Sequence, residues 1–229
     1  MRNWIGLLLV VGCLSVTAEV PRTIRLTMME NSALATDGPV KILTQAYGRM
    51  GYGVEFTPLP FARSLAAADH GDFDGEAGRF SQVEKTATHL IRVPVAVGRV
   101  EYVPYVLRGS TARLPHWQAI KQSGLRVGAR LGARLTEASV DRAQLTSVSS
   151  YESLLHMLIK GRIDMVIAPK GQLELLYPTT PGAMKDGVPA VKQLGVVATE
   201  PLYHYLHERN SALVAPLTSE LRDLRTGRQ

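Results

Sequence analysis

The stretch SLAAADHGDFDGEAGRF, residues 64–80, has a counterpart in SLLHMLIKGRIDMVIAP, residues 153–169. In each stretch an apolar run with helical spacing reaches a glycine, an aspartate follows three residues later, and a buried strand is predicted next. Glycine adopts the left-handed conformation that ends a helix without a Cβ clash. The repeat predicts two similar α/β lobes, about ninety residues apart along the chain. The alternative is the chance recurrence of a common helix–glycine–strand connection.

The repeat also predicts where a ligand would bind. Ligands of α/β sheets gather at the carboxyl ends of the strands. Here those ends are residues 77–79 and 167–169. If the two lobes face each other, these ends lie on opposite sides of a cleft.

A short leader begins the sequence. Arg2 precedes an apolar run over residues 4–14, and residues 15–18 are small, as a signal peptidase requires. The apolar run is shorter than the roughly 20 residues of a membrane-spanning helix. Residues 1–18 are therefore predicted to be a secretory signal peptide, which places the mature protein in the periplasm.

The single cysteine, Cys13, lies within this leader. After cleavage the protein would have no disulfide, thiolate nucleophile or Cys-bound metal. The four residues VVGC that end at Cys13 also resemble a bacterial lipobox. Lipid anchoring at Cys13 is therefore the alternative to simple secretion.

The net charge of +6 is spread along the chain. Its densest part holds Arg126, Arg130, Arg134 and Arg142, without the interleaved aromatic residues of a single-strand binder. No nucleic-acid-binding motif accompanies these arginines. We expect a solvated basic face and no nucleic-acid partner.

The mature chain predicts two lobes in the same β-α-β-α-β order, each a doubly wound sheet. Between them, LIRVPVAVGRVEYVPYVL at residues 90–107 is rich in Val and Tyr and contains two prolines, as expected of an extended crossover. A second segment, residues 191–206, is predicted to return to the first lobe ahead of a C-terminal helix. The predicted boundaries are residues 19–100 with 198–229 for the first lobe and 101–197 for the second.

Four segments resemble, in the same order, those of the extracellular solute-binding proteins of family 3. They are LPFARSLAAADHGDFDG at 59–75, RVPVAVGRVEYVPYV at 92–106, LRVGARLGARLTEA at 125–138 and LLHMLIKGRIDMVIA at 154–168. The resemblance implies a two-lobed type II periplasmic binding fold with a two-strand hinge near residues 100–106 and 195–199. It also implies a monomer without cofactor that captures a small-molecule solute by lobe closure for an ABC-type permease.

Two alternative functions remain open on this scaffold. One is a sensory module that passes lobe closure to a membrane receptor. The other is a lyase or dehydratase, with Glu30 as base and Arg79 as anion anchor. We expect a binding protein and no enzyme.

The sequence departs from the amino-acid-binding members of that family at three places. Glu84 and Lys85 stand where the family's carboxylate-binding arginine is expected. Ala133 replaces the threonine of the VGxxxGT pattern, and Pro169 replaces the aspartate that pairs with the ligand ammonium. A buried ammonium without a carboxylate partner is strongly disfavoured. The departures therefore predict a polar, anionic solute instead of an ordinary α-amino acid.

The predicted site residues of the first lobe are Arg79, Glu30 and Phe61. Arg79 follows a strand end, and its guanidinium is suited to a carboxylate or phosphate. Its alternative is a surface ion pair with a nearby acid such as Glu76. Glu30 ends the first strand and would accept from the ligand or pair with Arg79, while Phe61 would stack on the ligand or pack in the core.

In the second lobe we predict ligand contacts from Arg130, Gly132, Tyr151 and, at the hinge, Tyr105. Gly132 lies in a glycine-bearing turn before a helix, whose free N–H groups would favour an anion. Arg130 either points into the cleft or into solvent. Tyr102 and Tyr105 either line the hinge side of the cleft or fill strand positions, and we list Tyr105 as the contact.

No metal site is predicted. The pattern HGDFDG at residues 70–75 lacks the ligands that a calcium loop needs at its first and twelfth positions. His204 and His207 in HYLHE would lie one helical turn apart, but they do not match the order of a zinc protease. A structural or surface role is expected for both.

Overall fold

A computed structural model describes residues 22–30 and 37–227 of the chain. Within them the strands are β1 (Thr23–Met29), β2 (Gly53–Leu59), β3 (Gly75–Arg79), β4 (Leu90–Leu107), β5 (Val127–Arg130), β6 (Leu145–Val148), β7 (Met165–Pro169), β8 (Met184–Lys185), β9 (Val188–Pro189), β10 (Val191–Gln193) and β11 (Ala198–His207). The α-helices are α1 (Asp37–Arg49), α2 (Phe61–Asp69), α3 (Trp117–Gln122), α4 (Arg134–Ser139), α5 (Tyr151–Ile159) and α6 (Val214–Thr226). Short 3₁₀ helices occur at Ser81–Lys85, Glu174–Leu176 and Glu208–Leu213. The predicted signal peptide and Cys13 lie outside the described residues.

One mixed sheet runs through the molecule in the order β2-β1-β3-β11-β4-β7-β5-β6, with β10 paired to β4. On one side β1 pairs in parallel with β2 and β3, and on the other β5 pairs in parallel with β6 and β7. We call the part built on β1, β2 and β3 with α1, α2 and α6 the first lobe, and the part built on β5, β6 and β7 with α3, α4 and α5 the second lobe. The two parallel blocks confirm the predicted α/β organisation.

The strands β4 and β11 connect the lobes. They pair with each other in antiparallel fashion, and β4 then continues to pair with β7. The partner changes at Tyr102, which is opposite Ala198 on one side and Pro169 on the other. The crossover predicted at residues 90–107 is thus a single strand that joins both lobes into one sheet. The lobe boundaries at residues 100 and 198 stay a prediction.

The helix ends of the sequence repeat have matching geometry. After α2 the chain turns at Gly71 with φ of 84°, and after α5 it turns at Gly161 with φ of 65°. Only glycine adopts this left-handed conformation without strain. Helix α5 has Ser150 as its N-cap, because the Ser150 hydroxyl accepts a hydrogen bond of 3.1 Å from the Ser153 N–H.

The aspartates of the repeat fasten each helix–strand connection to the neighbouring strand. Asp74 Oδ2 accepts from the Arg25 N–H at 2.9 Å, while the Asp74 N–H donates to the Arg25 carbonyl. Asp164 and Arg126 make the same two contacts, with 2.8 Å for the Arg126 N–H to Oδ2 bond. The aspartates therefore satisfy backbone groups beside the first strand of each lobe, which explains the recurrence of the residue.

Apolar residues of the strands and helices form a separate core in each lobe. Buried members in the first lobe include Ile24, Leu26, Leu43, Tyr47, Leu217 and Leu221. Buried members in the second lobe include Leu154, Leu155, Leu158, Ile163, Val166 and Ala168. Within the described ranges, none of the helices is both long and apolar enough to cross a bilayer.

The segment around His204 differs from the helical spacing that we considered for HYLHE. His204 and His207 lie on strand β11, where residues three apart point to opposite faces. His204 is fully buried, and the ring contacts are 2.8 Å to the Tyr47 hydroxyl and 2.8 Å to the Glu76 carbonyl oxygen. It is a structural residue. Strands β8 and β9 form a small antiparallel hairpin apart from the main sheet.

Candidate functional site

A cavity of about 320 Å³ lies between the two lobes. Four residues of its lining end strands of the two parallel blocks: Met29 ends β1, Arg79 ends β3, Arg130 ends β5 and Pro169 ends β7. Parallel strands present their carboxyl ends at one edge, so the predicted strand ends meet in one cleft. Of the predicted site residues, Arg79, Phe61, Arg130, Gly132 and Tyr151 line it, and their contact with a ligand stays a prediction.

Arg79 is the most deeply buried charged residue of this lining, with 2% of its surface exposed. Its Nη2 atom donates to the Phe61 carbonyl at 2.9 Å and to Glu76 Oε2 at 3.2 Å. Its Nε and Nη1 atoms are buried and have no hydrogen-bond partner among the described residues. Buried donors are normally paired, so these two atoms of a residue in the lining are exceptions that call for an explanation.

Glu76 forms a buried ion pair with Arg79. Besides Arg79, its Oε2 atom accepts from Ser64 Oγ at 2.5 Å and from Thr27 Oγ1 at 3.0 Å. The Oε1 atom has no partner among the described residues. Burial raises the pKa of the Glu76 carboxyl above its ordinary value, against the opposing effect of the Arg79 charge. The ion pair that we considered as an alternative role for Arg79 is present, but Arg79 lines the cavity all the same.

Phe61 connects the lobes through two arginines. The Arg79 guanidinium lies 4.4 Å from the centroid of its ring, and that of Arg130 lies 4.9 Å from the same centroid. Arg130 is also 5.8 Å from the Tyr151 ring. Phe61 lines the cavity as predicted, but its ring carries guanidinium groups, which makes it a support for the two cations.

The N–H groups of the turn at Gly132 have partners within the protein. Its N–H donates to Glu137 Oε1 at 3.1 Å, and the next two N–H groups, of Ala133 and Arg134, donate to carbonyls within the turn. The following helix α4 has only six residues. Gly132 therefore shapes the wall with its positive φ of 83°, and the expectation that free N–H groups of the following helix favour an anion stays a prediction.

Thr136 is a site residue that sequence reasoning missed. It lies in α4, lines the cavity with 1% of its surface exposed, and its hydroxyl has no partner among the described residues. The resembled family has its threonine at the position of Ala133, and Thr136 follows three residues later. The sequence signal that could have identified Thr136 is its hydroxyl, about one helical turn after Ala133.

Tyr105 is a correction. It is fully buried in the core of the second lobe, where its hydroxyl donates to Glu174 Oε2 at 2.7 Å and accepts from the Gly171 N–H at 2.8 Å. Tyr102, three residues earlier on β4, points to the other face and lines the cavity instead. The prediction chose the wrong one of two tyrosines because alternation along the strand separates them.

Glu30 is a second correction. It is exposed at the end of β1, and its N–H donates to the Leu59 carbonyl at 3.0 Å. It does not belong to the lining of the cavity, where its neighbour Met29 does. The acid beside Arg79 is Glu76.

The charged side chains of the described lining are Arg79, Arg130, Arg134 and Glu200. Glu200 accepts a hydrogen bond of 3.2 Å from Gln82 Nε2. Positive groups therefore outnumber negative ones in the wall. In residues 22–30 and 37–227, no cluster of three or more His, Cys, Asp or Glu side chains is placed to hold a metal ion.

Comparison by sequence gives little. No protein-family model matches the chain. A protein of Shewanella oneidensis, described only as uncharacterised, is 25% identical over 190 residues, which is 80% of this chain and 69% of that protein.

Comparison by structure is informative about the fold. An ancestral arginine-binding protein bound to glutamine matches with a TM-score of 0.64 at 16% identity, over 92% of this chain and 95% of that one. A histidine kinase sensor domain with similarity to periplasmic binding proteins matches with 0.66 at 16% identity, over 90% and 92%. An amino acid ABC transporter substrate-binding protein of Streptococcus pneumoniae, bound to L-arginine, matches with 0.62 at 13% identity, over 90% of both chains. These are binding proteins and a sensor domain, and the chain has their two-lobed type II periplasmic binding fold.

Proposed function

We propose that this protein is an extracytoplasmic solute-binding protein that captures a small anionic solute between its lobes for an ABC-type transporter. The observation that carries the proposal is Arg79, which is buried in the cavity wall with Nε and Nη1 unpartnered. A carboxylate or phosphate bound there would complete these hydrogen bonds with charge assistance.

The composition of the wall supports an anion over an α-amino acid. Two of the structural neighbours named above are bound to glutamine and to L-arginine, respectively. In this chain the strand end where the resembled family pairs the ligand ammonium is Pro169, which is buried in the lining and carries no charge. The acidic residue of the described lining, Glu200, is already bonded to Gln82. An ammonium group would thus enter a wall of guanidinium groups.

The second candidate function is a sensory one. It is favoured by the match to a histidine kinase sensor domain. Both functions use the same capture step, and they differ in the membrane partner. A permease and an ATPase encoded beside the gene would support transport, whereas a neighbouring receptor kinase would support sensing.

Calorimetry on the secreted protein tests the anion. Its panel should contain monocarboxylates, dicarboxylates and sugar phosphates beside arginine and glutamine. We expect micromolar binding of an anion that lacks an α-ammonium group. Micromolar binding of arginine or glutamine, undiminished in Arg79→Ala, would contradict the proposal.

Two further measurements test location and closure. We expect the mature chain to begin at Glu19 without lipid, so that mass analysis finding a diacylated Cys13 would overturn secretion as a free protein.

We also propose that residues 19–100 with 198–229 move against residues 101–197 when the ligand binds. Small-angle scattering should then show a smaller radius of gyration at saturating ligand.

A further inference from the structure

The wall of the cavity has an unsatisfied polar group from each lobe. Arg79 from β3 offers its Nε and Nη1 atoms, and Thr136 from α4 offers its hydroxyl. Both residues are at least 98% buried and both line the same cavity. A buried polar group without a hydrogen-bond partner destabilises the protein. A ligand that bonds only to Arg79 or only to Thr136 would leave the other group without a partner.

Arg130 adds a charge on the side of the second lobe. It is half-buried and lies over the rings of Phe61 and Tyr151, and it forms no ion pair with any described residue. Arg79, by contrast, already has Glu76. The second lobe therefore has, in Arg130, a cation in the cavity wall without an acidic partner among the described residues.

The two guanidinium groups also set the length of a ligand. Both lie over the Phe61 ring, at 4.4 and 4.9 Å from its centroid, so their central carbons are no more than about 9 Å apart. The wall of the cavity also has apolar members, among them Met29, Leu65 and Leu135. A cavity of about 320 Å³ is at the small end of the range for ligand sites. The ligand that fits has two charged ends and a short apolar middle.

We infer that the solute is a short dicarboxylate, with one carboxylate at Arg79 in the first lobe and the other at Arg130 and Thr136 in the second. The inference rests on the proposed function and goes beyond it, because one charge would suffice for an anion-binding protein. It assigns a ligand contact to Thr136. It also explains how ligand binding would draw the lobes together, since each end of the solute belongs to a different lobe.

Matched ligands test the second charge. Calorimetry on the secreted protein would compare succinate, glutarate and adipate with the monoamide of each, which keeps the shape and removes one charge. We expect at least one dicarboxylate to bind about tenfold to a hundredfold more tightly than its monoamide, as for the loss of one charge-assisted hydrogen bond. Arg130→Gln should remove this preference, because it should weaken the dicarboxylate much more than the monoamide, which has no second charge for Arg130 to hold. Arg142→Gln, an exposed arginine of the second lobe, is the matched control and should change neither affinity.

Thr136→Val separates ligand binding from folding. Replacing an unpaired buried hydroxyl by a methyl group of similar shape should leave the melting temperature of the ligand-free protein unchanged or raised. The same variant should weaken the dicarboxylate several-fold. A variant that melts earlier without losing affinity would show that Thr136 is merely structural, and would remove it from the site.

The remaining outcomes are decisive as well. Equal affinity for a dicarboxylate and its monoamide would overturn this inference but leave the proposed anion binding intact. Glycerol 3-phosphate binding more tightly than every dicarboxylate would show a single anion subsite in place of two ends. If arginine or glutamine binds while every anion fails, the proposed function fails with it.

Discussion

The Oε2 atom of Glu76 lies 3.2 Å from the Nη2 atom of Arg79, and the two side chains are 0% and 2% exposed. Removing one partner of such a pair leaves an uncompensated buried charge, which typically costs about 3–5 kcal/mol. Glu76 thus positions the arginine that we assign to the ligand. A substitution of either residue will change stability and binding together, so both must be measured.

The first prediction concerns Arg79. Arg79→Ala should weaken an anionic ligand by about one to two powers of ten, since a charge-assisted hydrogen bond contributes about 1.5–3 kcal/mol. Arg79→Lys should lose part of this, because lysine lacks the planar array of donors. Calorimetry gives the affinities and chemical denaturation gives the stability of each variant.

The control is Glu76→Gln, which keeps an acceptor for Arg79 and removes the competing negative charge. It should bind the anion as tightly as the unaltered protein or more tightly, and weaker binding would contradict this account.

The second prediction separates the two tyrosines of β4. Tyr105→Phe should lower the free energy of unfolding by about 1–3 kcal/mol, because Glu174 and the Gly171 N–H lose their partner. Its ligand affinity should not change, since the hydroxyl lies in the core of the second lobe. Tyr102→Phe, at a residue of the cavity wall, should change affinity instead. Denaturation and calorimetry on both variants check the pair, and a loss of affinity in Tyr105→Phe alone would reverse the assignment.

The third prediction concerns pH. Burial lowers the pKa of His204 from 6.5 to about 4. Between those values the unfolded chain binds a proton that the folded protein does not, so stability rises with pH through this window and is lost as pH falls. The slope contributed by His204 approaches about 1.4 kcal/mol for each pH unit.

Denaturation between pH 7 and pH 4.5 measures this slope. His204→Gln should be less stable at pH 7, because Tyr47 and the Glu76 carbonyl lose the ring, but it should lose less stability on acidification. Asp74 and Asp164 have pKa values that are lowered, so their contributions are lost at lower pH, below the window of His204. An unchanged slope in the variant would argue that another group is responsible.

The fourth prediction tests the packing at the start of β3. A Cβ atom on Gly75 would lie 2.1 Å from the Tyr205 carbonyl oxygen, which belongs to the backbone of β11 and cannot move aside. Gly75→Ala should destabilise the protein by about 3 kcal/mol or more. Gly195→Ala is the control, since nothing lies within 4 Å of its added Cβ, and it should change stability by less than about 0.5 kcal/mol. Equal melting temperatures of the two variants would contradict the close approach of β3 and β11.

The sequence by itself determined the two-lobed α/β plan. The glycines that end α2 and α5, the aspartates that follow, and the apolar runs of the strands are local signals, read within about twenty residues of one another. Such signals depend on backbone conformation and on the periodicity of burial, and both are encoded by residues that are close together in the sequence. The strand ends were predicted on the same basis, and they placed Arg79 and Arg130 at the cleft.

Only the tertiary structure decided which buried polar side chains have hydrogen-bond partners and which do not. His204 meets Tyr47 from 157 residues away, and Glu76 reaches Thr27 across 49 residues. Whether a hydroxyl or guanidinium is paired depends on such contacts, and no local pattern reports them. For this reason the sequence chose Tyr105 over Tyr102, placed Glu30 in the site, and gave no weight to Thr136. Hydrogen bonding in a buried site is set by packing between distant segments, and the Arg79 and Thr136 atoms that we propose to contact the ligand are atoms that this packing leaves unpaired.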